Sequence, residues 1–338
     1  MSERPRDRAR VAVLGTGSWG TALAIQLCRN GHQVALWGHD PGHVAELIRD
    51  AENKRFLAGF SLPATLAPTV SLDQALAGAD ACLVVVPSHA FGEVVSAVSG
   101  RLAEDMGLAW ATKGLDPITG GLLHTTARMA LPRTSLAVVS GPSFAGEVAR
   151  GLPTAVTVAS DDSEFAARIA GLLHGGRFRA YTSGDMVGVE ISGAVKNVLA
   201  IATGIADGLG FGANARAALI TRGLSELIRL GSALGGRPET FTGLAGVGDL
   251  VLTCTDDQSR NRRMGLALAR GLSVDQAKSE IGQEVEGVPT ARSVHRLAHS
   301  IHIEMPIAYQ VYRVLYEGVS PLEATAALLE REPKPEFG

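Results

Sequence analysis

The chain has 338 residues, of which 46% are hydrophobic and 40 are glycine, with few aromatics. That is length enough for two or three domains with real cores, too apolar for a disordered chain, and a mixture that suits an α/β protein. Its 31 basic and 34 acidic residues leave a formal charge of −3, which excludes a general nucleic-acid footprint because that calls for a clustered positive excess.

Residues 10–14 (RVAVL) are a short β-branched run that stops at Gly15. An Ala/Leu-rich segment from Thr21 to Arg29 reads as a helix with Asn30-Gly31 as its stop, and 32–37 (HQVALW) reads as the next strand. Together they make a β-turn-α-β unit of about thirty residues. Further strands are expected at 81–86 (ACLVVV), 108–112 (LAWAT), 136–139 (LAVV) and 155–159 (AVTVA), with helical segments between most of them. Strands alternating with helices predict a parallel, doubly wound sheet, and ACLVVV has the continuous apolar character of a strand covered on both faces.

After about residue 185 strand-like runs nearly vanish. Segments 188–206, 213–235, 261–270, 273–281, 288–300, 305–317 and 321–331 all read as helices, with starts such as Ser273 before Gln276 and Ser320 before Pro321. The expected organisation is a Rossmann-type doubly wound α/β domain over 1–187, then an all-α substrate domain over 188–338 that ends in a loose tail, REPKPEFG.

The turn GTGSWG places Gly15, Gly17 and Gly20 in the G-x-G-x-x-G spacing. Gly15 allows the tight turn, Gly17 lets a pyrophosphate approach the backbone, and Gly20 lets helix and strand close up. The helix that starts there offers free N–H groups and a positive dipole end to phosphate. The motif is weak alone; between a strand and a helix, with a second strand in place, it predicts a dinucleotide site. At the end of that second strand an acidic residue favours NAD and a basic one NADP. His39 and Asp40 send both signals, and both also fit a solvated loop.

Later strand ends point at the same cleft. Pro87 and Ser88 follow one, Lys113 another, and Gly141-Pro142-Ser143 a third. Pro142 suits a first helical position, and Ser143 can offer its hydroxyl near the helix N-terminus. Helix capping by the serines and a surface position for Lys113 explain these residues as well.

In GVEISGAVKNVLAIATG (188–204), Ile191, Val195, Val198 and Ala202 share one helical face, while Ser192 and Lys196 lie on another with Asn197 beside them. Gly193 and Ala200 are the lysine's small neighbours, so it stands over a cleared patch; a lysine snorkelling at a helix edge is the alternative. In TGLAGVGDLVLTCTDDQSRNRRMG (242–265), three glycines allow close backbone approach and Asp249 follows them directly. Ser259, Arg260 and Asn261 near a helix start suit a small phosphate monoester, while Arg262 and Arg263 also fit a charged helix face.

Cys28, Cys82 and Cys254 are odd in number and show neither metal-ligand nor disulfide spacing, so no metal is expected and a reducing compartment is. No signal sequence and no apolar stretch long enough to cross a bilayer is read, which makes a cytoplasmic, not membrane-embedded protein the expectation.

The segments GTGSWGTALA, LVVVPS, ATKGL, SGPSFAGEVARGLPTA, GAVKNVLAIATGIADGLGFGANARAALITRG, GLAGVGDLVLTCT, SRNRR and VEGVPTA, in this order, resemble the bacterial NAD(P)-dependent glycerol-3-phosphate dehydrogenase family over nearly the full length. The resemblance implies reversible reduction of dihydroxyacetone phosphate to sn-glycerol 3-phosphate, which feeds glycerophospholipid synthesis. It implies Lys196 as proton donor or acceptor and Lys113 as shared by substrate and cofactor sites. Gly141, Ser143, Asp249, Ser259, Arg260 and Asn261 become substrate contacts. Ser18, Trp19, Ala145, Arg260 and Glu286 become contacts of NADPH or NADH, and His39 is kept as a cofactor contact from its place at the strand end.

The family often has W-x-R where this chain has Trp37-Gly38-His39, and N-x-x-Y-L-P-G where it has NKRFLAGFSLP. In the mechanism implied, Lys196 is the general acid of a hydride transfer, Lys113 supplies positive charge, and Asp249 holds and tunes Lys196. The alternatives are a two-domain hydroxy-acid dehydrogenase and a non-catalytic NAD(P)H sensor. The apolar all-α half offers either internal core or the face of a homodimer.

Overall fold

The computed structural model describes residues 8–103 and 106–332. The expected tail beyond Glu332 lies outside the described residues. The strands are β1 (Arg10–Leu14), β2 (Gln33–Trp37), β3 (Glu52–Asn53), β4 (Leu57–Ser61), β5 (Leu66–Thr69), β6 (Ala81–Val84), β7 (Leu108–Trp110), β8 (Leu136–Ser140), β9 (Thr154–Ala159) and β10 (Phe178–Ser183). Eight of them form one sheet in the order β10-β9-β8-β7-β6-β1-β2-β5, and β3 pairs with β4 in a separate hairpin. Between them lie α1 (Ser18–Arg29), α2 (Pro41–Asp50), α3 (Leu72–Leu76), α4 (Ser88–Val98), α5 (Leu123–Ala130), α6 (Ala145–Arg150) and α7 (Ser163–Leu173).

The doubly wound reading holds, and β6 has apolar cover on both faces: Leu83 joins one core with Val13 and Leu23, while Cys82 and Val84 join the other with Phe91 and Trp110. Strands β3, β4, β5 and β10 escaped the sequence reading because they are short or polar; β5 carries Pro68, which an edge strand tolerates. One pairing departs from the expected all-parallel sheet. β9 runs antiparallel to β8. A parallel return needs a crossover that carries the chain back to the other end of the sheet. Residues 141–153, with the six-residue α6, instead turn back at the end where β8 finishes.

The second half comprises α8 (Met186–Gly208), α9 (Gly212–Ala233), α10 (Pro238–Phe241), an irregular turn at Leu244–Gly248, α11 (Asp249–Thr255), α12 (Arg260–Ala269), α13 (Val274–Ile281), α14 (Gly287–Ser300), α15 (Pro306–Tyr316) and α16 (Pro321–Leu329). Capping boxes start α13 at Ser273 and α16 at Ser320. α8 is the axis of this half. It is surrounded by α9, α11, α12, α14 and α15, so it is buried well beyond the single apolar face its periodicity suggested. The helix is in fact long and apolar enough to cross a bilayer, which corrects the expectation that no such stretch exists, and its apolar window is wholly inside the protein.

α8 and α12 touch backbone to backbone. A Cβ at Gly204 would overlap the Arg262 carbonyl oxygen, and one at Gly265 would overlap that of Ile201. This contact sets α12, and with it Ser259 and Arg260, against the helix that carries Lys196.

Candidate active site

A cleft of about 850 Å³ lies at the C-terminal edge of the sheet, walled on its other side by α8, α11, α12 and the residues just before α14. The chain order reverses at β1, which has β2 on one side and β6 on the other; α/β sheets bind ligands at such a point.

The glycine-rich turn forms one end. Gly15 has φ +129°, a conformation that favours glycine, and a Cβ there would overlap the Val85 carbonyl. A Cβ on Gly20 would overlap the Gly15 carbonyl, so Gly20 serves close packing and does not itself line the cleft. In front of Gly17 a Cβ would meet nothing. Gly17 is the N-cap of α1 and supplies no side chain to its first N–H groups. Open space before unsatisfied helix donors fits a pyrophosphate, so the residues present suit a dinucleotide. Ser18, Trp19, His39 and Ala145 also line the cleft. Asp40 is absent from the lining: its carboxylate caps α2, accepting from the Gly42 and His43 N–H groups at 2.9 and 3.3 Å.

The lysines meet at the centre. Lys196 Nζ donates to Asp249 Oδ1 at 2.6 Å and to Thr253 Oγ1 at 2.9 Å. Lys113 Nζ donates to Asp249 Oδ2 at 2.7 Å and to the Gly141 carbonyl at 3.1 Å. Burial pushes the Lys196 ammonium down to about 7, opposed by Asp249 and assisted by Lys113. Burial alone would raise the Asp249 carboxyl, yet the two ammonium groups together hold it below its usual value. Gly193 does make room, but for the other lysine: a Cβ there would come within 3.1 Å of Ser140 Oγ and 3.6 Å of Lys113 Cγ.

Gly141 contributes its carbonyl and does not line the cleft. Pro142 and Ser143 precede α6 and do not begin it; the Ser143 hydroxyl donates to the Gly141 carbonyl at 2.8 Å. Neither serine caps a helix. Ser88 gives its N–H and hydroxyl to Glu286 at 3.0 and 2.7 Å, tying the sheet to the residue before α14. Burial raises the Glu286 carboxyl.

At the far end Ser259 is the N-cap of α12, its Oγ accepting from the Arg262 N–H at 3.2 Å. Asn261 donates to Asn197 Oδ1 at 2.9 Å and accepts from the Gly287 N–H at 2.8 Å, which fixes its amide beside Lys196's neighbour. Burial pulls the Arg260 guanidinium below its ordinary value, with Glu286 opposing, and Arg260 lines the cleft, so an anion placed there would favour its charged form. Arg262 is no exposed helix charge; it is buried and paired with Asp207 and Asp257.

The structure thus gathers Gly15, Gly17, Ser18, Trp19, His39, Lys113, Ser143, Ala145, Lys196, Asp249, Ser259, Arg260, Asn261 and Glu286 around one cleft. Thr253 went unread because the run from Leu250 to Thr253 belongs to no predicted element; as part of α11 it falls one turn after Asp249, on the same face.

Comparison with known proteins points the same way. The NAD-dependent glycerol-3-phosphate dehydrogenase N-terminus matches residues 10–166, and the corresponding C-terminus matches residues 185–326. Glycerol-3-phosphate dehydrogenase [NAD(P)+] of Aeromonas salmonicida is 56% identical over 332 residues, covering 98% of this chain and 99% of that one. The protein of the same name from Colwellia psychrerythraea is 56% identical over 328 residues, covering 96% and 98%. The crystal structure of glycerol-3-phosphate dehydrogenase from Coxiella burnetii superposes with a TM-score of 0.94 at 50% identity, covering 96% of this chain and 99% of that one. Matched along both halves, this chain belongs to the NAD-dependent glycerol-3-phosphate dehydrogenase family.

Proposed function

We propose that this chain reversibly reduces dihydroxyacetone phosphate to sn-glycerol 3-phosphate with NADH or NADPH, with Lys196 as the proton donor and acceptor. The observation that carries the reading is the buried Lys196–Asp249–Lys113 cluster, set between a glycine-rich turn and the cationic start of α12. The reduced nicotinamide, when bound, supplies the hydride to the ketone carbon. Lys196 gives a proton to the carbonyl oxygen as it becomes an alkoxide and takes it back in the oxidative direction. Lys113 adds positive charge beside that oxygen. Asp249 orients both ammonium groups. Ser259, Arg260 and Asn261 hold the substrate phosphate, Gly141 and Ser143 border the reacting end, and the fixed phosphate converts encounter into alignment.

In this reading residues 1–187 serve the dinucleotide, with Ala145 and, from the second half, Arg260 and Glu286 as added contacts; residues 188–338 serve the substrate. The product feeds glycerophospholipid synthesis. Three buried free thiols, Cys28, Cys82 and Cys254, favour a reducing, cytoplasmic setting. We place a homodimer interface on the all-α half, where Tyr309, Leu322 and Leu329 are exposed.

The test follows oxidation of NADH and NADPH with dihydroxyacetone phosphate and, separately, with 2-oxo acids. Turnover of the phosphate ester is expected. Turnover of only a 2-oxo acid, or cofactor binding without turnover of any substrate, sinks the assignment.

A further inference from the structure

Asn53 ends β3 and is 0% exposed, far from the lysine cluster in sequence. A primary amide buried this deeply requires partners for its donors and its acceptor. Its Nδ2 donates to the Thr16 carbonyl at 2.8 Å and to Thr21 Oγ1 at 2.7 Å, and its Oδ1 accepts from the Phe56 N–H at 3.1 Å. Thr21 Oγ1 also donates to the Thr16 carbonyl, at 3.4 Å. The Thr16 oxygen is therefore held inside the protein by two side chains, one of them from a hairpin outside the main sheet.

Thr16 sits between Gly15 and Gly17 in the glycine-rich turn. In a trans peptide the C=O and the following N–H point in opposite directions. Holding the Thr16 carbonyl inward thus turns the Gly17 N–H away from the Asn53 side chain, at a residue that lines the cleft. The same amide fixes the base of the hairpin whose Phe56 and Leu57 line the cleft. We propose that Asn53 is a positioning residue for the dinucleotide: it aims the Gly17 N–H at the pyrophosphate and ties the β3–β4 hairpin wall to the glycine-rich turn.

The inference rests on the dinucleotide reading above and adds a residue to it. Asn53→Asp keeps the acceptor for Phe56 and removes the donor to Thr16; Asn53→Ala removes both. Thr21→Val keeps the Asn53 side chain but takes away the Thr21 bond to the Thr16 carbonyl and the hydroxyl that accepts from Asn53 Nδ2, loosening the same anchor. Binding of NADH and of ADP-ribose, which lacks the nicotinamide, is measured by calorimetry without substrate, beside the melting temperature. Both Asn53 variants should lose about tenfold in affinity, by the same factor for the two probes, because the defect lies at the pyrophosphate. With saturating cofactor, kcat and the KM for dihydroxyacetone phosphate should stay within about threefold of wild type. A folded variant with a lowered melting temperature and unchanged affinities overturns the proposal. If neither Asn53 variant folds, Thr21→Val decides, and unchanged affinity there overturns it equally. A wild-type protein that binds neither probe would instead refute the dinucleotide site itself.

Discussion

Lys113 and Lys196 donate to opposite oxygens of one carboxylate, Asp249, at 2.7 and 2.6 Å. One negative charge thus faces two ammonium groups, and the deficit bears on whichever lysine is less solvated. That is Lys196, whose side chain is 7% exposed against 17% for Lys113. Burial pushes the Lys196 ammonium down to about 7 while Lys113 stands nearer solvent, which supports Lys196 as the proton-transferring amine of the proposed reaction.

Replacing Lys196 with Ala removes the proposed acid. Loss of general acid catalysis should lower kcat by about 10²- to 10⁴-fold, with binding of NADH retained. Near-normal turnover would remove Lys196 from the mechanism. In the wild-type enzyme the reductive kcat/KM requires the ammonium form, so it should decline as pH rises through about 7. The oxidative rate requires the free amine and should rise across the same interval. Rates measured in both directions from acid to alkaline pH give the two limbs, and limbs of the same sign would contradict the assignment.

Asp249→Asn keeps the shape and deletes the shared charge. A buried and a half-buried ammonium group would then face each other with no counter-ion, and breaking a buried pair costs about 3–5 kcal/mol. Denaturant unfolding should show a loss of that order. With less to favour its charged form, Lys196 should titrate lower still, moving the decline of the reductive rate to more acidic pH. A pH profile left in place would show that Asp249 does not tune Lys196.

Arg260→Ala tests the phosphate end. A charge-assisted contact made equally in ground and transition states appears in KM. The KM for dihydroxyacetone phosphate should rise by about tenfold to a hundredfold, with a smaller change in kcat. Unchanged KM would take Arg260 out of the substrate site.

Gly265→Ala probes the contact between α8 and α12. Its Cβ would overlap the Ile201 carbonyl, which is backbone and cannot swing away. The helices must separate, at a cost of about 1–3 kcal/mol. Because α12 begins at Arg260, the same change should raise the KM for the phosphorylated substrate without altering the Lys196 titration. A variant as stable as wild type would show that the helices yield more easily than backbone contact suggests.

Much of this arrangement is legible in local pattern. The run RVAVL, the glycine spacing and HQVALW declare the first β-turn-α-β unit, because turn chemistry and strand periodicity act between near neighbours. Apolar periodicity likewise marks the helices of the second half, and a lysine within α8's apolar run already asks for a partner or a task. Family resemblance pointed to Lys113, Asp249 and Arg260 residue by residue.

The partnerships came from packing. That Asp249 reaches both lysines depends on how α11 lies against α8, and that Thr253 joins them depends on its run being helical. Gly193 looked like clearance for Lys196 on its own helix, yet the space it leaves is filled by Lys113 from a strand end. The antiparallel turn into β9 keeps Ser143 to Ala145 at the cleft, and Asn53 reaches Thr16 from a hairpin with little strand signal. Local pattern was enough to mark the central strands, the long helices and the glycine-rich turn, since those features rest on propensity and spacing over a few residues. Which side chains meet on one carboxylate was settled by packing, because such contacts are set by strand register and helix crossing between segments far apart in the chain.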